Sequence, residues 1–174
     1  MKNARRSKVD EVVVVLGANT GKFREEIESL GARVVKNPNY NAGQSTSLKA
    51  ALSQIGAGTR AVVVLLGDQP FASERIINAI VDRYLETGCS IVVPIYEGQR
   101  GNPVLFDKAL FPEMLAVMGD KGARDIIERH QADIATVEIE SALAAKDIDN
   151  WDSYLAICSY VEAMGGLASL IKSK

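Results

Sequence analysis

Asp68 follows an apolar run, Ala61-Val-Val-Val-Leu-Leu66, across a single glycine and is itself followed by Gln69 and Pro70. Six apolar residues that stop at Gly67-Asp68-Gln69-Pro70 predict a strand buried on both faces that empties into a sharp turn. Asp68 is thereby placed at the carboxyl end of a strand. Open α/β sheets bind ligands at that edge, and a carboxylate there can hold a magnesium ion against phosphate oxygens. The same residue can also do no more than cap the turn before the helix expected at Ser73. A second pair of acids, Asp147 and Asp149, flanks Ile148 just ahead of Asn150. Residues two apart on an extended segment face the same side, so the pair can serve as a second metal anchor, although acids placed before a helix also complement its dipole.

The elements that must position these acids can be read from apolar runs and breakers. Val12-Val-Val-Val-Leu16 mirrors the Asp68 strand and ends at Gly17. Gly17-Ala-Asn-Thr-Gly-Lys22 is one residue short of a Walker loop, with Phe23 where a Ser or Thr would reach magnesium, so it reads as a turn into a helix over 22–30. Gly31 closes that helix and 32–36 forms a short strand near a sheet edge. The turn-rich stretch Asn37 to Ser47 runs into a helix over 48–55, where Gly43 permits close backbone approach and Ser45 or Ser47 can cap the helix or bond a ligand. Beyond Asp68, a helix from Ser73 carries Ile76, Ile77, Ile80, Val81 and Tyr84 at core spacing. A strand over 90–96 follows, then a turn from Glu97 to Pro103, a β-turn or hairpin excursion, that leads into Val104 to Phe106. Gly119 to Arg124 opens a helix that runs to His130, 134–139 is a strand, and Asn150 caps a C-terminal helix containing Trp151 and Tyr154. The stretch from Gly165 to Lys174 reads as a short amphipathic helix.

Composition narrows the classes. The 174 residues suit a single domain over 1–174, with a helical tail from about 155 to 174, and 47% apolar content allows a substantial core. A net charge of −2 with both signs interspersed gives no basic face for nucleic acid. One histidine and two distant cysteines, Cys89 and Cys158, form no zinc pattern. Both cysteines read as small core residues in a reducing cytoplasm, and no apolar run approaches the length of a membrane span.

With these pieces placed, the sequence resembles the MobA-like nucleotidyltransferases, nearest to their molybdenum cofactor cytidylyltransferase branch. The resemblance rests on six blocks in order: Asp10 to Gly17, Asn37-Pro-Asn-Tyr40 with Gly43 and Ser47, Leu65-Leu-Gly-Asp-Gln-Pro70, Arg100-Gly-Asn-Pro-Val-Leu-Phe106, Gly119-Asp-Lys-Gly-Ala-Arg124, and Asp147-Ile-Asp149. It implies an α/β fold with a mostly parallel, three-layer sheet of the nucleotide-diphosphate-sugar transferase, Rossmann-like type. It implies transfer of CMP from CTP, or from another nucleoside triphosphate, to the phosphate of a molybdopterin-type cofactor, with release of pyrophosphate. Asp68 would be catalytic and would hold Mg2+ with Asp149 or Asp147. Gly17, Gly43, Ser47 and Gly67 would serve the nucleotide side, and Arg100, Gly101, Asn102, Pro103 and Arg124 the cofactor's phosphate. The family's first strand and its Leu-Ala-Ala-Gly-x-Ser-x-Arg-Met-Gly-x-x-Lys loop have no counterpart here, and Lys2, Arg5, Arg6 and Lys8 read as a solvated helix end. The chain as written is therefore expected to be N-terminally incomplete, inactive alone, or a non-catalytic, partner-dependent binding protein. The absent strand would lie between the strands at 12–16 and 61–66, so the sheet must close up, borrow a strand, or self-associate as a homo-oligomer.

Overall fold

The computed structural model describes residues 1–18, 20–119 and 123–163. A short helix α1 (Lys2–Arg6) precedes β1 (Val13–Leu16), α2 (Thr20–Ser29), β2 (Arg33–Lys36) and α3 (Gln44–Leu52). Then come β3 (Ala61–Val64), α4 (Glu74–Thr87), β4 (Ile91–Tyr96), β5 (Gln99–Arg100) and β6 (Val104–Asp107). Helices α5 (Phe111–Ala116) and α6 (Arg124–Arg129), strand β7 (Ile134–Glu138) and α7 (Trp151–Ala163) complete the order. The expected helix at Gly165 to Lys174 and residues 120–122 of the Gly119 block lie outside the described residues.

The larger sheet is built on β4. One edge of β4 pairs in parallel with β7 from Ile91 to Ile95. Its other edge is shared by β6, opposite Ile91 and Val92, and by β5, opposite Ile95 and Tyr96, both antiparallel. β6 also pairs antiparallel with β3, so β3, β4 and β7 run the same way and one interrupted strand runs against them. The interruption is the expected hairpin excursion. Glu97 and Gly98 both have positive φ, 49° and 79°, the twist that a two-residue hairpin turn requires, and β6 is entered through a cis Asn102–Pro103 bond.

Alternation along the strands sorts the core into two layers. Val62, Val64, Ile91, Val93, Val104 and Phe106 face Leu48, Leu52, Met114 and Ile126 from α3, α5 and α6. Ala61, Val63, Val92, Leu105 and Ala135 face the other way, onto Ile76 and Ile80 of α4. Residues of both parities are apolar because both faces are covered, which gives helix, sheet and helix in three layers. Helix α4 forms as its sequence predicts: the Ser73 side chain accepts from the Ile76 amide, Ile77 and Ile80 are wholly buried, and Gly88 ends it in the left-handed region.

Strands β1 and β2 form a separate parallel pair, in register from Val13 and Arg33 to Leu16 and Lys36. No described strand pairs with the second edge of β1 or of β3, so the sheet has not closed up by joining the two. The pair is held instead by helices. α3 packs on β1 and β2 and sends Leu48 and Leu52 into the main core. On the other side α1 packs against α4, where the Lys8 amide donates to Asn78 Oδ1 and Lys8 Nζ pairs with Asp82 at 2.6 Å.

Two local readings change. Helix α3 starts at Gln44, because Gly43 with φ 100° provides a turn that only glycine adopts freely, so Ser45 and Ser47 lie inside its first turn and cap nothing. Cys89 and Cys158 are free thiols, both half-buried; Cys89 packs against the core layer under α4, while Cys158 belongs to neither core cluster among the described residues.

Candidate active site

Asp68 stands where the sequence places it, four residues past the end of β3, exposed, in the turn that leads to α4. Val104 of β6 is opposite Val64, so Asn102 and Pro103 enter the sheet beside Leu65, at the same edge as Asp68. Arg100 and Gly101 hang from the carboxyl end of β4, which points the same way as β3. The segment after β7 crosses to this edge as well. The Ile148 amide donates to the Asp68 carbonyl at 2.9 Å, and the Gln69 amide Nε2 donates to Asp147 Oδ1 at 2.6 Å. Asp68, Asp147 and Asp149 are thus neighbours through backbone and side chain, although nearly 80 residues separate them along the chain. Asp68 and Asp149 are exposed, and neither carboxylate bonds to any described residue.

The turn that carries Arg100 is held from beneath by Tyr96. The Tyr96 ring is buried and its hydroxyl donates to the Asn102 carbonyl at 2.7 Å; burial pushes its pKa up to about 12. A Cβ on Gly101 would sit 2.7 Å from that ring, so glycine is needed there for packing. Pro103 is fully buried, and Arg100 is exposed and without a partner among the described residues.

Gly17, Gly43 and Ser47 form a second group at the carboxyl ends of β1 and β2. The Asn37 amide donates to the Leu16 carbonyl, joining the two strand ends. The buried Asn37 side chain then donates to Thr46 Oγ1 at 2.8 Å and Ser47 Oγ at 3.0 Å, folding the 37–47 loop onto α3. Gly17 lies against Tyr40, where a Cβ would meet the Tyr40 Cβ at 2.7 Å. Gly67 is exposed with open space around it. Arg124 opens α6 after Ala123, and no bond fastens it to either group. Asn37 and Gln69 are the two organising residues that motif reading passed over. Each sits inside a recognisable block, but only its burial and its partners reveal the role.

The acids suit a hard divalent cation. All donors are carboxylate oxygens, and among the described residues no group of three or more His, Cys, Asp or Glu could hold a metal unaided. Two carboxylates with the remaining positions left to phosphate oxygens and water is the arrangement magnesium accepts most readily.

A sequence model of the MobA-like NTP transferase domain family matches residues 1–134, about three quarters of the chain. The chain belongs to this family. It is 27% identical to the purine catabolism protein PucB of Bacillus subtilis over 167 residues, covering 88% of this chain and 78% of PucB. Among solved structures, the Rv0371c homologue from Mycobacterium sp. strain JC1 superimposes with a TM-score of 0.80 at 26% identity, covering 93% of this chain and 80% of that one. Rv0371c of Mycobacterium tuberculosis, in a manganese complex, gives 0.78 at 26% identity, covering 91% and 82%. The fold is that of the Rossmann-like nucleotide-diphosphate-sugar transferases, and the family is one of nucleotidyltransferases. Among the described residues no helix is long and apolar enough to cross a membrane.

Proposed function

We propose that this protein transfers CMP from CTP to the terminal phosphate of a molybdopterin-type cofactor in the cytoplasm, releasing pyrophosphate. The observation that carries the reading is the bond from the Ile148 amide to the Asp68 carbonyl, which delivers a second acidic segment to the strand end where Asp68 stands. An oxygen of the acceptor's phosphate attacks the α-phosphorus of CTP in line, the bond to the β-phosphate breaks, and pyrophosphate leaves. Such a reaction is mostly positioning and charge neutralisation. Mg2+ held by Asp68 with Asp149 or Asp147 would offset charge on the triphosphate, and the manganese in the mycobacterial relative supports a divalent ion in this role. Exposed Arg100 and Arg124 offer positive charge for the acceptor's phosphate, with Gly101, Asn102 and Pro103 holding the Arg100 turn in shape. Gly17, Gly43, Ser47 and Gly67 are assigned to the nucleotide side, at the carboxyl ends of β1, β2 and β3.

A second reading, a binding protein that works only with a strand supplied by another chain, is favoured by one observation, the unpaired edges of β1 and β3. Two measurements separate the readings. Calorimetry of CTP with magnesium should show that Asp68→Asn removes the dependence on the ion, and equal dependence in both proteins would reduce Asp68 to a turn residue. Pyrophosphate release from CTP, magnesium and a molybdopterin-type acceptor should fall on the order of a hundredfold in Asp68→Asn, the usual cost of one lost charge-offsetting group. Specific turnover that does not change with protein concentration would reject the partner-dependent reading.

A further inference from the structure

Tyr40 is out of character with the turn it occupies. Asn39, Asn41 and Gly43 around it are ordinary turn formers, whereas an aromatic ring does nothing for a turn. The ring is 43% exposed, and its hydroxyl is bonded to no described residue. Yet the backbone that carries it is fixed from within. Asn37, only 2% exposed, accepts the Asn39 amide on Oδ1 at 2.9 Å and donates to Thr46 Oγ1 and Ser47 Oγ. The Thr46 hydroxyl proton is shared between the carbonyls of Asn39, at 3.0 Å, and Gly43, at 2.8 Å, and the Ala42 amide donates to the Asn39 carbonyl. The root of the ring is laid on Gly17, where a Cβ would come within 2.7 Å of Tyr40 Cβ and Cγ. The side chain thus crosses from the loop after β2 to the end of β1, at the same strand ends as Gly17, Gly43 and Ser47.

We propose that Tyr40 is a binding residue whose exposed ring is the platform on which the base of the nucleoside triphosphate stacks. The assignment rests on the reading of Gly17, Gly43 and Ser47 as the nucleotide side. It follows from preorganisation: the turn is already fixed by buried Asn37, and a tyrosine has only two side-chain torsions left to order, the first of them confined by Gly17. A stacked base buries its apolar face and leaves its polar edges in water, which suits a ring that is half exposed at an open strand end. Every base has such a face, so the platform holds the base without choosing among bases.

The test is calorimetry of CTP, of GTP and of inorganic triphosphate, each with magnesium, on the full chain and on its Tyr40→Leu and Tyr40→Phe variants. Tyr40→Leu should weaken CTP and GTP about tenfold or more, the usual worth of one base on one aromatic ring, and Tyr40→Phe should leave both within about twofold. Inorganic triphosphate, having no base, should bind all three proteins alike. The ring protons of bound cytosine should move upfield on the parent and on Tyr40→Phe, under the ring current of the side chain they lie over, and should not move on Tyr40→Leu. Because the ring is exposed, its loss opens no cavity in the core. Equal loss of CTP and inorganic triphosphate in Tyr40→Leu would reduce Tyr40 to a structural part of the turn and overturn the proposal. CTP affinity unchanged in Tyr40→Leu would overturn it too, while leaving the nucleotide reading intact. Failure of the parent to bind either nucleotide would instead refute the nucleotide reading, and the platform with it.

Discussion

Tyr96 and Tyr84 show how single side chains fasten the sheet built on β4. Tyr96 acts at the edge on which Asp68 stands, and Tyr84 at the opposite end, where Asp107 pairs with Ala61. Tyr84, on α4, has its pKa raised to about 12 by burial and then by the hydrogen bond it donates to Asp107, which ends β6. Tyr96, beneath the Arg100 turn, is raised to about 12 by burial. In the unfolded chain both phenols ionise near pH 10, whereas the folded chain keeps them protonated to about pH 12. Between those values the unfolded state binds fewer protons than the folded one, so their contribution is complete below pH 10 and is lost as pH rises toward 12. Urea midpoints should therefore fall across this window, and Tyr84→Phe combined with Tyr96→Phe should flatten the fall. A decline of equal slope in the double variant would show that other groups cause it. At neutral pH, Tyr96→Phe alone should cost about 1 kcal/mol, the usual net worth of a hydrogen bond, read from the same midpoint.

The strands β1 and β3 set the next scale. Each is a four-residue run made almost wholly of branched apolar residues, each is only half-buried, and each has one edge without a strand partner among the described residues. Unpaired apolar edges recruit other strands, so the chain is expected to self-associate, with a mass in light scattering that rises with concentration. A clean monomer at all concentrations would show that flanking helices cover these edges well enough. Strands, α4 and the hairpin at Glu97 were legible in the sequence because their signals are local: unbroken valine runs, Ser73 as a cap, glycine after a turn residue. Helix α5 was not, because a six-residue helix entered through the single turn Lys108–Leu110 leaves no room for a period to show. The start of α3 was misplaced by four residues, since the deciding feature is the φ of Gly43 and no residue type reports it. Asp68, Asp147 and Asp149 could be nominated from type and place, yet the Gln69–Asp147 bond that ties their two segments together joins positions too distant for any spacing rule to reach.

Across the whole molecule, the two groups of candidate site residues ride on different sheets. Gly17, Gly43 and Ser47 belong to the β1–β2 pair, whereas Asp68, Arg100 and Asp149 belong to the sheet built on β4. Backbone ladders make a sheet open and close as a unit, and no ladder joins these two. The β1–β2 pair should accordingly behave as a separate foldon. Native-state exchange is expected to release the amides of Val13 to Leu16 and Arg33 to Lys36 at a lower opening free energy than those of Ile91 to Ile95, and a single shared opening for both sets would refute this. A ligand bound to one half alone would slow only that half's exchange. One that spans Gly43 and Asp68 would couple the two openings, so the merging of two exchange classes into one would reveal a bridging substrate even where no turnover can be seen.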